Sequence, residues 1–188
     1  MLNRAEGHKD MARTVVLIGF MGCGKTTFGE EAARRLQMDF IDMDREIERR
    51  QGRTVSQIFA EDGEAAFRRM ETDLLTECCL AGGTIVATGG GVVKDPENIR
   101  RIRESGALTV YLKTPPEELY RRLADDRTRP LLADTAGEAR YRRICEMLEA
   151  RRPLYEAAAE AVYDEAGRTV SGILTDFPDW IAKKIEKV

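Results

Sequence analysis

Short apolar runs alternate along the chain with longer stretches in which apolar residues recur every three or four positions, and no repeat or low-complexity tract interrupts them. The runs Thr14–Ile18, Phe40–Ile41, Thr84–Ala87, Leu108–Leu112 and Ala161–Tyr163 are rich in Val and Ile and predict five strands. Such strands can be buried on both faces only when helices cover a parallel sheet from both sides, which predicts an α/β fold of three layers, αβα. Phe67, Met70, Leu74, Cys78 and Ala81 fall at helical spacing. Thr54…Gln57 and Thr114…Glu117 read as capping boxes. Asp95-Pro96 and Thr114-Pro115 each set a capping side chain before a proline at the first helical position, where the missing N–H does no harm. Asp179–Val188, with Trp180, predicts a last helix packed on the sheet or on a neighbour.

The loop after the first strand changes the picture. Gly19-Phe-Met-Gly22-Cys-Gly24-Lys25-Thr26 fits G-x-x-x-x-G-K-[ST] at every fixed position. Several backbone N–H groups must converge on one polyphosphate, and glycines permit that without side-chain clashes. Lys25 adds a point charge, the following helix aims its positive end at the same anion, and the Thr26 hydroxyl suits Mg²⁺. A dinucleotide fingerprint is denied by the spacing, because the glycines read G-x-x-G-x-G and a Lys-Thr pair has no role there. No guanine-reading N-K-x-D pattern appears, so ATP is the better fit than GTP.

An acceptor is read from four further places. Asp42 and Asp44 end the second strand, where alternation would turn both carboxylates to one side at the carboxyl edge, the edge at which open α/β sheets bind ligands. One could bias Mg²⁺ and the other hold an acceptor hydroxyl, or Asp44 could simply cap a helix over Arg45–Gln51. Gly89-Gly90-Gly91 follows the third strand and lets a ligand approach the backbone. Arg68 lies on a helix beside Phe67, and Arg151, before Pro153, ends a helix at a chain reversal. The flat fork of arginine matches a carboxylate in two parallel bonds, so this pair suits an anionic acceptor. Asp125–Ala136, charged and interrupted by Pro130, reads as a long mobile loop too polar to be core.

Composition narrows the class. With 188 residues, 43% hydrophobic and 34% charged, the chain fits one domain, about 14–188, behind a polar and flexible leader at 1–13. At this size roughly 70% of the unfolded chain's surface can be buried, so no staple is required. A net charge of −3 argues against binding nucleic acid through bulk charge. Residues 100–152 nonetheless carry thirteen Lys and Arg against nine Asp and Glu, a local excess that suits phosphate. Four cysteines without a CxxC spacing, no signal-peptide core and no run of about 18 apolar residues predict a soluble, cytoplasmic protein with no membrane association. His8 is the only histidine and sits in the leader, so histidine chemistry is not expected.

Seven segments in order resemble the shikimate kinases: the phosphate loop Gly19–Thr27, Asp-Met-Asp at 42–44, Gly-Arg-Thr at 52–54, Phe67-Arg68-Arg69 with Glu71, Gly89–Gly91, Arg129-Pro-Leu-Leu132, and Arg151-Arg-Pro-Leu-Tyr155. The resemblance implies a nucleoside-monophosphate-kinase-like P-loop fold with a five-stranded parallel sheet, acting as a monomer on ATP and shikimate with Mg²⁺. It implies transfer of the γ-phosphoryl group to the 3-hydroxyl of shikimate, within a pathway to aromatic amino acids. By position, Gly22, Cys23, Gly24, Lys25, Thr26 and Thr27 would bind ATP, Thr26 would ligate Mg²⁺, and Asp42 would hold it through water. Asp44 would bind shikimate hydroxyls and polarise or orient the attacking one. Arg68 and Arg151 would clamp the carboxylate, with Gly89, Gly90 and Gly91 alongside and Phe59, Phe67, Glu71 and Leu131 shaping the pocket. Helices over about 45–81 would carry that pocket, and 125–136 would be a lid from which Arg129 reaches the phosphates. Arg122 and Arg168 would flank the adenine. Presence of the arginine pair with Asp44 speaks against a gluconate kinase of similar fold, and intact catalytic positions speak against a silent binding module.

Overall fold

A computed structural model of the chain describes residues 13–126, 130–132 and 135–186. In chain order these form β1 (Val15–Ile18), α1 (Lys25–Leu36), β2 (Asp39–Asp42), α2 (Met43–Gln51), α3 (Val55–Glu61), α4 (Glu64–Ala81), β3 (Thr84–Ala87), α5 (Pro96–Glu104), β4 (Leu108–Lys113), α6 (Pro116–Leu123), α7 (Gly137–Ala158), β5 (Ala161–Asp164) and α8 (Val170–Ile185). Short 3₁₀ turns lie at Val92–Lys94 and Pro130–Leu132.

All five strands are parallel, in the order β2-β3-β1-β4-β5, with Val15 opposite both Ile85 and Leu108. The chain leaves β1 toward β2, and the connection after β3 leads back across the sheet to β4. The loops after β1 and β3 therefore lie side by side at the carboxyl edge, where a crevice opens. Alternation along the strands feeds two cores. Val15 and Leu17 join Phe28, Leu119 and Phe177 on one face, while Val16 and Ile18 join Met43, Leu75 and Tyr155 on the other. Only β1 and β3 are wholly buried, and β4 is buried except at Lys113. The edge strand β5 buries Ala161 and Tyr163 and exposes Val162 and Asp164.

Five local expectations change. The chain turns helical at Met43, so Asp44 is neither a strand residue nor a cap. Asp42 is the cap, its carboxylate accepting from the Arg45 N–H at 3.2 Å. The Thr54–Gln57 capping box forms, but α6 starts at Pro116 with no side-chain cap, because Thr114 Oγ1 donates instead to Glu165 Oε1 at 2.9 Å. No helix ends at Arg151, since α7 runs through Pro153 to Ala158. A proline costs a helix interior about 3 kcal/mol, and burial of Tyr155 and Ala158 in the last turn opposes that. The final helix begins at Val170, capped by Thr169, and packs on α1 through Phe177 against Phe28. Finally, Leu132 within 125–136 is fully buried in the core beside Leu123 and Ile144.

Arg13 is tied to Gly106 and, at 2.8 Å, to Glu160 Oε1, which fixes it to the fold. Residues 1–12, including His8, lie outside the described residues. All four cysteines are free thiols. Among the described residues no helix is long and apolar enough to cross a membrane.

Candidate active site

The loop from β1 to α1 bends back on itself at Gly22 and Gly24, with φ of 78° and 92°. A Cβ at Gly24 would lie 2.3 Å from the Phe28 ring, so this position needs glycine twice over. Gly24 precedes α1 without capping it, which leaves the helix N-terminus open to the crevice. The buried Lys25 folds back over the loop and donates to the Gly19 and Phe20 carbonyls, both at 2.9 Å. The Cys23 N–H closes a turn on Phe20 O, and its thiol, buried beneath, is pushed up by that burial against the pull of Lys25. The Thr26 hydroxyl donates to Asp42 Oδ2 at 2.6 Å.

Above this loop a cleft of about 950 Å³ is lined by Gly22, Gly24, Lys25, Thr26, Thr27, Asp42, Asp44, Gly90 and Arg122, nine of the residues expected from the sequence. Asp42 and Asp44 both reach it, Asp42 as the last residue of β2 and cap of α2, and Asp44 from the first turn of that helix. Thr54, read in the sequence as a cap and as part of Gly-Arg-Thr at 52–54, also lines the cleft, together with Val55, Ser56, Glu30 and Glu48, which the sequence did not single out.

The glycine turn separates this cleft from a second cluster. Thr88 fastens the turn to β1, its hydroxyl and its N–H both donating to Leu17 O. A Cβ at Gly90 would lie 3.3 Å from Met21 N, so the turn lies against the phosphate loop. Cβ atoms at Gly89 and Gly91 would lie 2.4 Å from Glu71 Oε1 and 2.8 Å from the Arg68 guanidinium. Arg68 donates to Glu71 Oε2 at 2.7 Å and lies 5.3 Å from the Phe67 ring centre, and Phe67 in turn packs on Phe59. Glu71 is fully buried and its Oε1 has no hydrogen-bond partner among the described residues. Burial pushes this carboxyl above the usual range, and the Arg68 charge opposes the shift. From the other side Arg151 reaches Gly90 O at 3.4 Å.

Tyr155 also donates to Gly90 O, at 2.6 Å, from a fully buried ring stacked on Tyr111. The sequence reading gave Tyr155 no role. Its position four residues after Arg151 carried the signal, since residues so spaced share one helix face.

At the far end of the cleft Arg122 donates to Glu118, to Gly22 O at 3.2 Å and to Glu165 at 3.0 Å. Arg168 does not line the cleft. Its guanidinium pairs with Asp176 at 2.6 Å and lies 5.1 Å from the Tyr163 ring centre, and Val170 lines the wall instead. Leu131 is about half exposed and also outside the lining. Arg129 lies outside the described residues.

The model of the shikimate kinase family matches residues 21–185. A shikimate kinase of Bordetella pertussis is 44% identical over 160 residues, 85% of this chain and 74% of that one. One from Aromatoleum aromaticum is 46% identical over 150 residues, 80% and 83% of the two chains. Among solved structures, a shikimate kinase from Acinetobacter baumannii in complex with shikimate matches at a TM-score of 0.82 and 34% identity, over 94% of each chain.

Proposed function

The chain belongs to the shikimate kinase family, and from that premise we propose that it transfers the γ-phosphoryl group of ATP to the 3-hydroxyl of shikimate, giving shikimate 3-phosphate and ADP. One observation carries the reading: the Gly89–Gly91 turn meets the phosphate loop at Gly90, Arg68 at Gly91 and Arg151 at the Gly90 carbonyl. A polyphosphate and a carboxylate can thus be held next to the same few backbone atoms.

The residues from Gly22 to Thr27 bind the phosphates, with the α1 dipole and the Lys25 ammonium directed at them. Thr26 Oγ1 and Asp42 Oδ2, 2.6 Å apart, are the hard oxygen donors that Mg²⁺ prefers, so Thr26 would hold the ion directly and Asp42 through water. Bound there, Mg²⁺ supplies positive charge to the transferring phosphoryl group. Arg68 and Arg151 clamp the shikimate carboxylate, the backbone of Gly89, Gly90 and Gly91 lies alongside it, and Phe59, Phe67, Glu71 and Leu131 shape the walls. Asp44 orients the attacking hydroxyl. A loose phosphoryl-transfer transition state asks for in-line geometry and surrounding charge more than for a strong base.

Arg129, on a lid at about 125–136, adds charge to the phosphates and the lid keeps water out. Arg122 borders the adenine. Arg168 would join it only by releasing Asp176. A monomer in the cytoplasm completes the reading and accords with four free thiols. A coupled assay of ADP release with shikimate, gluconate or no acceptor tests it. Release is expected only with shikimate, and equal release with gluconate would overturn the assignment of the acceptor.

A further inference from the structure

Glu165 begins the turn between β5 and α8, and its side chain is only 1% exposed. Both carboxylate oxygens are engaged: Oε1 accepts from Thr114 Oγ1 at 2.9 Å and Oε2 from Arg122 at 3.0 Å. Its backbone is fixed as well, the N–H to Lys113 O at 2.9 Å and the carbonyl to the Arg168 N–H at 3.0 Å. The carboxylate therefore cannot move without disturbing the carboxyl ends of β4 and β5. A buried ion pair seldom adds net stability over an apolar pair of the same shape, so its retention here asks for another reason.

That reason lies at the other end of Arg122. Its guanidinium spans from Glu165 to the Gly22 carbonyl of the phosphate loop, 3.2 Å away, and lies 5.7 Å from the Phe28 ring centre. The third partner, Glu118, accepts from Arg122 at 2.6 Å but is a quarter exposed and shared with Arg121, whereas Glu165 is buried. We infer that Glu165 is a positioning residue for nucleotide binding, acting through Arg122, which it pins against the phosphate loop at the wall of the cleft. The inference rests on the reading that this cleft takes ATP with Arg122 beside the base.

The test compares Glu165→Gln, Arg122→Met and the double variant by calorimetric titration with MgADP, KM for each substrate, kcat and thermal unfolding. Glutamine keeps the shape and the Thr114 contact but loses the charge. Loss of one charge-assisted bond predicts an MgADP Kd and an ATP KM raised about tenfold in Glu165→Gln, with shikimate KM and kcat within about twofold. The double variant should bind MgADP no more weakly than Arg122→Met alone. A Glu165→Gln protein that melts earlier but binds MgADP like wild type overturns the inference, as does additivity in the double variant. Should Glu165→Gln not fold, Thr114→Val takes its place, and an unchanged Kd there has the same force. If Arg122→Met binds MgADP normally, the placement of Arg122 fails and the inference with it. If the wild-type chain binds no MgADP, the nucleotide reading itself is wrong.

Discussion

The Tyr155 hydroxyl donates to the Gly90 carbonyl at 2.6 Å, joining α7 to a turn 65 residues earlier in the chain. Arg151 reaches the same carbonyl from one helical turn away, so the arm that would clamp a carboxylate and the backbone beside it are held in register by one phenol. Tyr155→Phe keeps the ring and its stack on Tyr111 and removes only this bond. A buried hydrogen bond is worth about 1 kcal/mol, so the melting temperature should fall by about 2–4 °C. Shikimate KM should rise several-fold while ATP KM stays close to wild type. Steady-state kinetics with each substrate varied in turn decides, and an equal rise in both would show that the hydroxyl supports the fold alone.

Lys25 carries the most positive charge that the loop can bring to a phosphate, and in the free protein its ammonium is satisfied by Gly19 and Phe20 carbonyls. Lys25→Met should fold, because the buried stem remains, and should lower kcat by about two orders of magnitude or more, as loss of one preorganised charge does. Circular dichroism and the coupled assay check the two halves. Turnover within a few-fold of wild type would discredit the phosphate-loop assignment.

Gly24 and Gly52 both adopt left-handed backbone, yet they should answer mutation differently. A Cβ at Gly24 meets the Phe28 ring at 2.3 Å, whereas nothing lies within 4 Å of one at Gly52. Gly52→Ala carries only the left-handed strain, about 1–2 kcal/mol. Gly24→Ala adds overpacking of Phe28, about 1–3 kcal/mol more, and displaces the N-terminus of α1. Urea unfolding of both variants should reveal that gap, and ATP affinity should fall in Gly24→Ala alone.

How much of this was legible depended on range. Gly19 to Thr26 carries its chemistry at fixed local spacing, and five apolar runs located the strands to within a residue or two. Arg68 and Arg151 were found from their neighbours. What local patterns could not carry were partnerships across the fold. Thr114 looks like a cap until Glu165, 51 residues on, takes its hydroxyl. Glu165 itself looks like a solvated charge until the fold buries it against Arg122. Asp42 took the cap that Asp44 could have made because the strand ends at Asp42, two residues sooner than alternation through Asp44 suggested. Pro153 fails to stop α7 because tertiary burial of Tyr155 outweighs a local preference.

Arg68 and Glu71 couple stability to pH in a way that separates binding from folding. Glu71 is buried and its carboxyl lies above the usual 4.5, so the folded state keeps that proton where the unfolded chain has lost it. Its contribution to stability is therefore full below about pH 4.5 and is lost as pH rises through the folded value. Arg68 limits this loss. In Arg68→Ala the only cation among the described residues bonded to the buried carboxylate is gone, the folded value climbs further, and the loss of stability extends toward neutral pH. About 3–5 kcal/mol is expected where the carboxylate must ionise unpaired, and less in acid. Adding Glu71→Gln should restore stability at neutral pH and flatten the profile. It should not restore shikimate binding, because the fork that would hold the carboxylate is still missing. Denaturant midpoints between pH 4 and 8, set beside shikimate KM for the single and double variants, make the comparison. Recovery of KM together with stability would mean that Arg68 serves the fold and leaves the substrate to others.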